Sequence, residues 1–452
     1  MKWLLVSYWF PPRNIIGALR VGKLAKYLRD RGYTVQVLAA RAHESLTLPL
    51  EVPLSSVTYT EAAPAKGPLD PFVRLLRNSS PERFNATSGP AATPMNNQRR
   101  FISASVRETL SWHYYATFQI PDGHYGWIAG ALRAGRNLLQ QEPADLIYAS
   151  APPFSALVVA SKLSQEYGIP WVAEFRDLWV ENPYYEYPRW RRGIDRWLER
   201  RTLRSAAGLV TVTPIWADIL RRSYAQPVSA ILNGYSEEDL PTSVVRTPAS
   251  DILTIVYTGN IYRGFRDPSP LFQAIAGLGP RREKVAVHFY GPSEADIDDL
   301  ARKFGVRDRV FVRPQVSHSE SLSLQKNADV LLLMQWNDKK DEGNIPAKLF
   351  EYLAVLRPIL FLGYEAGTVA QMIRERNAGF VSNSPERIAE QLAKWIDRLP
   401  SGVPSLPESA RHGLARGEQF HRLEEFIERE VLHPQRSGFP SGTTPPRASL
   451  CG

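Results

Sequence analysis

Short apolar runs alternate with helical stretches along most of the chain. The opening run, Trp3–Tyr8, is followed by a helical pattern over Ala18–Arg31 and by a second apolar run, Val35–Ala39. A strand, a helix and a strand in this order predict a right-handed parallel α/β unit. The same alternation begins again at Thr254 and continues to a last predicted helix near Gly413–Val431. The pattern therefore predicts two Rossmann-like α/β domains.

Length and composition agree with this division. A chain of 452 residues is too long for one compact core, and its 44% hydrophobic and 22% charged residues are typical of a globular protein. Residues from about 63 to 120 fit no periodic pattern and predict a mobile insertion. The predicted order is an N-terminal domain over 1–235 that contains the insertion, a linker over 236–250, a C-terminal domain over 251–410, a C-terminal helix over 411–432 that crosses back to the first domain, and a disordered tail over 433–452.

The stretch Glu342–Gly363 predicts a ligand-binding loop. It follows a predicted buried strand, Val330–Met334, and Pro346 marks the first turn of a helix, where a missing N–H is tolerated. The helical spacing extends to Leu356, and Pro358 ends the helix before another buried strand. Such a loop lies at the carboxyl end of a parallel sheet beside a helix N-terminus, which is where anionic ligands bind.

Two charged residues of this stretch are candidates for ligand contacts. Lys348 and Glu351 lie three residues apart, so they share a face of the first helical turn. A cation there can neutralise a diphosphate, and the carboxylate can accept hydrogen bonds from a ribose diol. Glu342, on the loop, can bind the hydroxyls of a sugar in the same way. The alternative is an ordinary helix start in which Lys348 and Glu351 only pair with each other.

A second notable segment is Arg189–Arg204, with seven arginines in sixteen residues. Trp190, Ile194, Trp197 and Leu198 fall on one face of the predicted helix. Two interpretations are open. A basic amphipathic helix with tryptophan is typical of docking on an anionic membrane. Equally, some helix must pack on the sheet at this position of the fold, with its basic face exposed.

Charge and cysteine content exclude several classes of protein. The net charge of +9 predicts anionic partners, but no helix-turn-helix, zinc-finger or RNA-recognition signature is present, so we expect no nucleic acid. The single cysteine, Cys451, forms no intramolecular disulfide and fits a reducing cytoplasm. No apolar run approaches the roughly 20 residues that span a bilayer. No cluster of residues has the spacing of metal ligands.

Several of these motifs resemble those of glycosyltransferase family 4, whose members have the GT-B fold. Pro346–Ala354, PAKLFEYLA, matches the form P-[SA]-K-[LI]-[FY]-[ED]-Y-L-A of bacterial polysaccharide members, and Glu342 and Glu351 match the two glutamates of the donor-sugar signature. Eight residues separate these glutamates, where seven are usual. The turn Gly259–Gly264 resembles the phosphate-binding turn of the family, with Asn260 where arginine is common.

The resemblance implies a GT-B protein, in which two Rossmann-like domains face each other across a cleft, and it implies roles for particular residues. The implied catalytic residues are Arg263, Lys348 and Glu342. The implied donor-binding residues are Gly259, Asn260, Arg263, Gly291, Asn344, Ile345, Pro346, Lys348, Leu349 and Glu351. The implied acceptor-side residues are Gly17, Pro152, Arg176 and Asp177, for the last two of which a simple ion pair is the alternative.

The function implied by the resemblance is sugar transfer from a nucleotide diphosphate sugar to a hydroxyl of a lipid-linked or glycan acceptor. Family members retain the anomeric configuration and need no bound metal or other cofactor. We expect a role in polysaccharide or cell-envelope glycan synthesis, in the cytoplasm or peripherally on the inner face of the plasma membrane. The alternatives are a GT-B nucleotide-sugar epimerase, which needs no acceptor, and a non-catalytic scaffold that binds a sugar nucleotide.

Overall fold

Two parallel β-sheets with helices on their faces make up the described part of the chain. The structure is a computed structural model, and it describes residues 1–41, 43, 46–63, 114–241, 251–262, 264–291 and 294–433. The first sheet contains β1 (Lys2–Ser7), β2 (Thr34–Ala40), β3 (Val57–Thr60), β4 (Leu146–Ala151), β5 (Trp171–Phe175), β6 (Gly208–Thr211) and β7 (Val228–Ala230). The second contains β8 (Leu253–Thr258), β9 (Val285–Tyr290), β10 (Val310–Arg313), β11 (Val330–Met334), β12 (Ile359–Leu362) and β13 (Gly379–Val381).

Helices connect most of these strands. In the first domain they are α1 (Ile16–Asp30), α2 (Ile128–Gln141), α3 (Ser155–Tyr167), α4 (Arg189–Leu203) and α5 (Pro214–Ser223). In the second domain they are α6 (Ser269–Gly277), α7 (Glu294–Lys303), α8 (His318–Asn327), α9 (Ala347–Ala354), α10 (Thr368–Glu375) and α11 (Pro385–Asp397), and α12 (Arg416–Phe426) follows them. The predicted pair of Rossmann-like domains is confirmed.

In each sheet the strand order reverses beside the first strand. The orders are β3-β2-β1-β4-β5-β6-β7 and β10-β9-β8-β11-β12-β13, and neighbouring strands are parallel. The central strands are almost wholly buried because helices cover both faces; every residue of β5 and β11 is buried. The topological switch points lie between β1 and β4 and between β8 and β11. Ligands of open α/β sheets bind outside the carboxyl ends of the strands at such points.

Helix α12 returns the chain to the first domain. Phe420 and Leu423 are buried in the same hydrophobic cluster as residues of α1 and β1. Glu424 accepts a hydrogen bond from Tyr27, and its carboxylate lies 3.5 Å from Nε of Arg31. A π-helical turn, Ile427–Leu432, ends the described chain near β6. The two domains are therefore joined twice, by the linker and by this helix.

The two crossings of the chain between the domains run side by side. The N–H of Tyr235 donates to the carbonyl of Leu414 (3.1 Å), and the N–H of Arg416 donates to the carbonyl of Tyr235 (2.7 Å). Gly234 has φ +67°, and a Cβ there would lie 2.9 Å from the oxygen of Leu414. Only glycine fits this backbone conformation and this close approach without strain.

Helix α9 is shorter than the sequence predicts. It ends at Ala354, and Leu356 adopts a left-handed conformation with φ +59°. The expected extension to Leu356 is wrong because Arg357 precedes Pro358, and a residue before proline is disfavoured in the helical region. The left-handed residue turns the chain directly into β12, and its carbonyl accepts a hydrogen bond from the N–H of Leu406 (2.9 Å).

Helix α4 packs with its polar side inwards. Arg191, Asp195 and Glu199 are buried, whereas Trp190 and Trp197 are exposed. The helix packs on the first domain and exposes most of its arginines, as the packing interpretation predicts, but the side that packs is not the face of Trp190, Ile194 and Trp197. The polar side chains face inwards because they satisfy the carbonyl and hydroxyl groups of the loops beneath the helix.

Candidate active site

Two glycine turns open the space in front of the second sheet. Gly259 follows β8 with φ +110°, and its N–H donates to the carbonyl of Tyr290 (2.7 Å). A Cβ on Gly259 would overlap the ammonium group of Lys348. Gly291 follows β9 with φ +104°, and its N–H donates to the carbonyl of Arg313 (3.1 Å). Because Gly259 has no side chain, the ammonium group of Lys348 can lie directly against the turn that follows β8.

Lys348 and Arg266 converge on the hydroxyl of Tyr257. Nζ of Lys348 lies 3.3 Å from this oxygen and 4.3 Å from the ring centroid, and Nη1 of Arg266 lies 3.4 Å from the same oxygen. Arg266 also donates to the carbonyl of Asn260 (2.8 Å), and so does Tyr257 (2.8 Å). Two cations are therefore held together beside a glycine turn, at the switch point of the sheet.

Burial and the neighbouring charges shift the pKa values of this cluster. Burial lowers the pKa of the Lys348 ammonium, although Tyr257 opposes the shift. Burial alone would raise the pKa of the Tyr257 phenol, but Lys348 and Arg266 outweigh it, so the pKa of Tyr257 is lowered. The lowered pKa of Lys348 favours its neutral amine. An anion bound beside the two cations would favour the charged ammonium again.

Glu351 lies one turn further along α9, and its carboxylate is oriented by Gln325. Nε2 of Gln325 donates to Glu351 (3.0 Å) and also to the hydroxyl of Thr258 (3.1 Å). Nδ1 of His318 lies 3.9 Å from the other carboxylate oxygen. Glu351 does not pair with Lys348, which points to Tyr257 instead, so the two side chains diverge from their shared helical turn.

An open cavity lies between the domains, and Glu351 is part of its wall. The first domain and the linker contribute the loop before α1 and the hinge around Gly234. The second domain contributes the beginnings of α8 and α9. Lining residues include Asn14, Ile15, Ile16, Arg20, Asn233, Tyr235, Asp239, His318, Ala347, Glu351 and Arg416. The candidate donor site thus opens into space that both domains enclose.

Arg416 and Arg20 hold the hinge beside this cavity. Arg416 donates to the carbonyls of Asn233 (3.2 Å) and Gly234 (3.2 Å) and to the hydroxyl of Ser236 (2.6 Å). Burial lowers its pKa to about 10. Arg20 donates to the carbonyl oxygen of Leu232 (2.9 Å) and to the side chain of Asn233 (3.3 Å). The hinge is therefore fixed by side chains from α1 and from α12.

The loop before α9 touches the first domain. Asp341 is buried and accepts hydrogen bonds from the hydroxyl of Tyr184, from the amide of Asn344 (3.1 Å) and from the amide of Gln335 (3.2 Å). Burial raises the pKa of its carboxyl to about 6. Tyr184 belongs to the first domain, so this hydrogen bond crosses the cleft.

Aromatic and glycine contacts reinforce this second junction between the domains. The rings of Tyr184, Phe265 and Trp336 lie 4.8–5.9 Å from one another. A Cβ on Gly343 would lie 2.8 Å from Nε1 of Trp216, in α5 of the first domain. The loop can approach α5 this closely only because residue 343 is a glycine.

The remaining donor-side residues occupy different environments. Glu342 is partly exposed, and its carbonyl accepts a hydrogen bond from the N–H of Thr368 (3.1 Å). Pro346 precedes the first residue of α9. Ile345 and Leu349 are buried in the core behind the loop, so only their backbone groups can reach the cleft. Arg263, which was predicted to bind the diphosphate, lies outside the described residues.

Three of the acceptor-side residues, Gly17, Pro152 and Arg176, meet at the switch point of the first sheet. The guanidinium of Arg176 donates to the carbonyl of Pro152, and a Cβ on Gly17 would overlap it. In the described part of the chain Arg176 forms no ion pair with Asp177, so the pairing alternative is wrong. Burial lowers the pKa of Arg176 and raises the pKa of Asp177. A cation thus lies directly at the N-terminus of α1.

Sequence reasoning missed residues that act through distant contacts. Arg266 lies near the predicted turn, but the family pattern directed attention to Arg263. Gln325 and Arg416 carry no local signal, because each reaches the site from another helix. Asp341 is adjacent to Glu342, and its burial could be seen only once Tyr184 was placed over it.

Metal-ligand clusters and membrane-spanning helices are both absent from the described residues. No group of three or more His, Cys, Asp or Glu side chains in the described ranges could hold a metal ion. No helix of that part of the chain is both long and apolar enough to cross a membrane.

Comparisons with known proteins agree with the fold. A model of the Glycosyl transferase 4-like domain matches residues 17–234, and a model of Glycosyl transferases group 1 matches residues 250–401. No curated protein is matched. Among solved structures, HepE of Anabaena in complex with UDP is 15% identical, with a TM-score of 0.60 over 95% of this chain and 100% of its own.

Two further structures have the same fold. WaaG, a glycosyltransferase involved in lipopolysaccharide biosynthesis, is 14% identical with a TM-score of 0.53, over 94% of this chain and 99% of its own. A glycosyltransferase from Rickettsia africae is 13% identical with a TM-score of 0.55, over 96% of this chain and 99% of its own. The two domains and their cleft define a GT-B glycosyltransferase. The chain belongs to the GT4-type family of these enzymes, and it is an enzyme of sugar transfer.

Proposed function

We propose that the enzyme transfers a hexose-type sugar from a nucleoside diphosphate sugar to a hydroxyl acceptor. The observation that carries the proposal is the convergence of Lys348 and Arg266 on the hydroxyl of Tyr257, at 3.3 and 3.4 Å. In the part of the chain that the structure describes, neither of these two cations beside the Gly259 turn forms an ion pair with a carboxylate. A diphosphate supplies the negative charge that this arrangement lacks.

The nucleoside is proposed to lie in the cavity between the domains. The Glu351 carboxylate, oriented by Gln325, can accept hydrogen bonds from both hydroxyls of a ribose. Glu342, on the exposed side of the loop, is proposed to bind hydroxyls of the donor sugar. HepE has been solved with UDP and with UDP-glucose, which supports a donor of this class.

The proposed reaction retains the anomeric configuration. The bond between the anomeric carbon and the diphosphate oxygen breaks, and the acceptor oxygen bonds to the same face of that carbon. The acceptor proton passes to the leaving diphosphate. Lys348 and Arg266, together with Arg263 as the sequence indicates, stabilise the charge that develops on the diphosphate. Removing one such preorganised hydrogen-bond donor typically lowers kcat about 10²–10³-fold. These side chains supply positive charge, so the proposal includes no bound metal.

The acceptor is proposed to approach from the first domain. Gly17, Pro152 and Arg176 lie together at its switch point, and Asp177 follows Arg176 in the chain. The cation of Arg176 at the N-terminus of α1 suits an acceptor that carries a phosphate, as a lipid-linked sugar does. We propose a role in polysaccharide or cell-envelope glycan synthesis, at the cytoplasmic face of the membrane.

Thermal stabilisation by ligands tests the donor site. Purified protein is heated with UDP, GDP, ADP and TDP and with their sugar conjugates, without added metal. A ligand at ~100 times its Kd adds about 2.7 kcal/mol to the free energy of unfolding, which raises the melting temperature. We expect one nucleotide class to give this shift and Lys348→Ala and Glu351→Ala to lose it. Lys394→Ala and Glu390→Ala, exposed positions on α11, are the matched controls. A shift that survives both site substitutions contradicts the proposal.

A further inference from the structure

Helix α4 is fixed to the protein by its charged side. Nε of Arg191 donates to both carboxylate oxygens of Asp195, at 2.8 and 2.9 Å, and both side chains are almost wholly buried. The same guanidinium donates to the carbonyls of Ala116 (2.5 Å), Gln119 (2.7 Å) and Pro121 (3.1 Å). Four of the five N–H donors of this guanidinium are thus used, which fixes the orientation of the helix.

The consequence is an outward apolar stripe. Trp190, Ile194 and Trp197 follow each other at intervals of four and three residues, so they share one side of the helix. Their exposed fractions are 46%, 40% and 61%. They are three of the large hydrophobic side chains that are exposed in the described chain, and they adjoin on one helix. A contiguous exposed apolar surface of this kind marks an interaction site.

Exposed arginines flank this stripe. The acidic residues of the helix, Asp195 and Glu199, both face inwards, so they do not neutralise the outer surface. The guanidinium of Arg201 lies over the ring of Trp197 at 5.5 Å, and Arg196 pairs with Glu181 at 2.5 Å. Exposed arginines around the stripe are Arg189, Arg196, Arg200, Arg201 and Arg204.

We infer that this surface of α4, the stripe with its arginines, docks on an anionic membrane. Tryptophan and isoleucine side chains enter the boundary between headgroups and acyl chains, while arginines bind lipid phosphates. The inference deepens the proposed function, because it rests on an acceptor that is held at a membrane. The loop that leads into α4 carries Tyr184, which contacts Asp341 beside the donor loop. Docking through α4 therefore holds the cleft near the lipid surface.

The positive charge of the α4 surface argues against a second copy of this chain as its binding partner. In a symmetric dimer through this surface the same patch faces itself, so arginines of one α4 lie opposite arginines of the other. Such like-charge contacts are unfavourable, and no exposed carboxylate of α4 could compensate them. An anionic bilayer supplies both the apolar layer and the negative charge.

Vesicle sedimentation tests the inference with the full chain. The protein is mixed with vesicles of phosphatidylcholine alone or with about one third phosphatidylglycerol, at low and at high salt. We expect binding to the anionic vesicles that weakens at least tenfold in neutral vesicles or at high salt. The triple substitution Trp190→Gln, Ile194→Gln and Trp197→Gln is expected to weaken it at least tenfold. Leu54→Gln, at another exposed apolar residue (67%), is the matched control and is expected to have no effect.

The possible outcomes distinguish a failure of the membrane-docking inference from a failure of the proposed function. Equal sedimentation of the triple variant and the wild type overturns the inference, and so does wild-type protein that stays in the supernatant with anionic vesicles. A wild-type dimer that the triple substitution dissociates overturns it as well. The melting temperature and the shift produced by the donor nucleotide are measured in every variant. We expect both to be unchanged in the triple variant, because α4 is fixed by its opposite side. If no protein shows a nucleotide shift, the proposed function fails while the vesicle result stands.

Discussion

Nε of Arg20 donates a hydrogen bond of 2.9 Å to a carboxylate oxygen of Glu174, and both side chains are buried. Glu174 also accepts hydrogen bonds from the hydroxyls of Tyr148 (2.7 Å) and Ser150 (2.5 Å). Because Arg20 reaches the carbonyl of Ile231 as well (3.0 Å), this pair joins α1, the sheet and the hinge. It is the polar centre of the first domain, directly behind the acceptor side of the cleft.

Glu174→Gln is expected to destabilise the protein. The substitution leaves the guanidinium of Arg20 buried without its counter-charge, which typically costs about 3–5 kcal/mol. Chemical denaturation measures the change. The matched control is Glu166→Gln, whose exposed pair with Arg136 should contribute only about 0–1 kcal/mol. Equal losses in the two variants would contradict a special role for the buried pair.

The Glu174 pair also predicts an acid-dependent loss of stability. Burial alone would raise the pKa of Glu174, but Arg20 and the two hydroxyls outweigh it, so the pKa is lowered in the folded protein. Its stabilising contribution is therefore present above the pKa of the unfolded chain and is lost as the pH falls through the folded value. Denaturation between pH 7 and pH 3 is expected to show a steeper acid loss in the wild type than in Glu174→Gln. Parallel curves would contradict this assignment.

Arg266→Ala is expected to weaken donor use as strongly as Lys348→Ala. Both cations contact the hydroxyl of Tyr257, so the loss of either removes charge from the proposed diphosphate site. We expect kcat/KM for the donor to fall about 10²–10³-fold in each variant. Steady-state release of the nucleoside diphosphate measures it, with Lys394→Ala as control. A variant Arg266→Ala with wild-type kinetics would remove this residue from the site.

Asp341 predicts a pH dependence of stability that is opposite in sign to that of Glu174. Burial raises the pKa of its carboxyl to about 6, above its ordinary value of 3.8, so the folded protein binds a proton more tightly than the unfolded chain. The free energy of unfolding then falls as the pH rises between about 4 and 6. Relative to Asp341→Asn, the wild type should gain about 1.4 kcal/mol between pH 7 and pH 5. Denaturant titrations at both pH values test this, and an equal pH effect in both proteins would refute it.

Gly343→Ala is expected to hinder closure of the cleft. The added Cβ would lie 2.8 Å from Nε1 of Trp216, so the donor loop must move away from α5. We expect kcat/KM to fall about tenfold or more, because small displacements of reacting groups are costly. Trp216→Phe in the same chain should restore part of the activity by removing the opposing atom. The control is Gly277→Ala in α6, where an added Cβ meets nothing within 4 Å.

Local patterns predicted most of the fold, because strands such as Val330–Met334 are apolar runs bounded by residues that interrupt regular structure. The helix start at Pro346 and the switch-point loops followed from the same reasoning. The positions of Gln325, Arg416 and Tyr184 could not be predicted in this way. Each reaches the site across more than 25 residues of chain or across the cleft. The orientation of α4 was ambiguous in the sequence because both of its sides offered a plausible contact. The buried partners of Arg191, which decided it, come from a segment without periodicity.

The most direct test of the central claim is calorimetric titration of nucleoside diphosphates into the purified protein. The wild type, Lys348→Ala with Arg266→Ala, and the control Lys394→Ala are compared at one salt concentration. We expect one binding site per chain, an affinity at least 100-fold weaker in the double variant, and no change in the control. Equal affinity of the wild type and the double variant would show that the diphosphate does not bind between the Gly259 turn and α9.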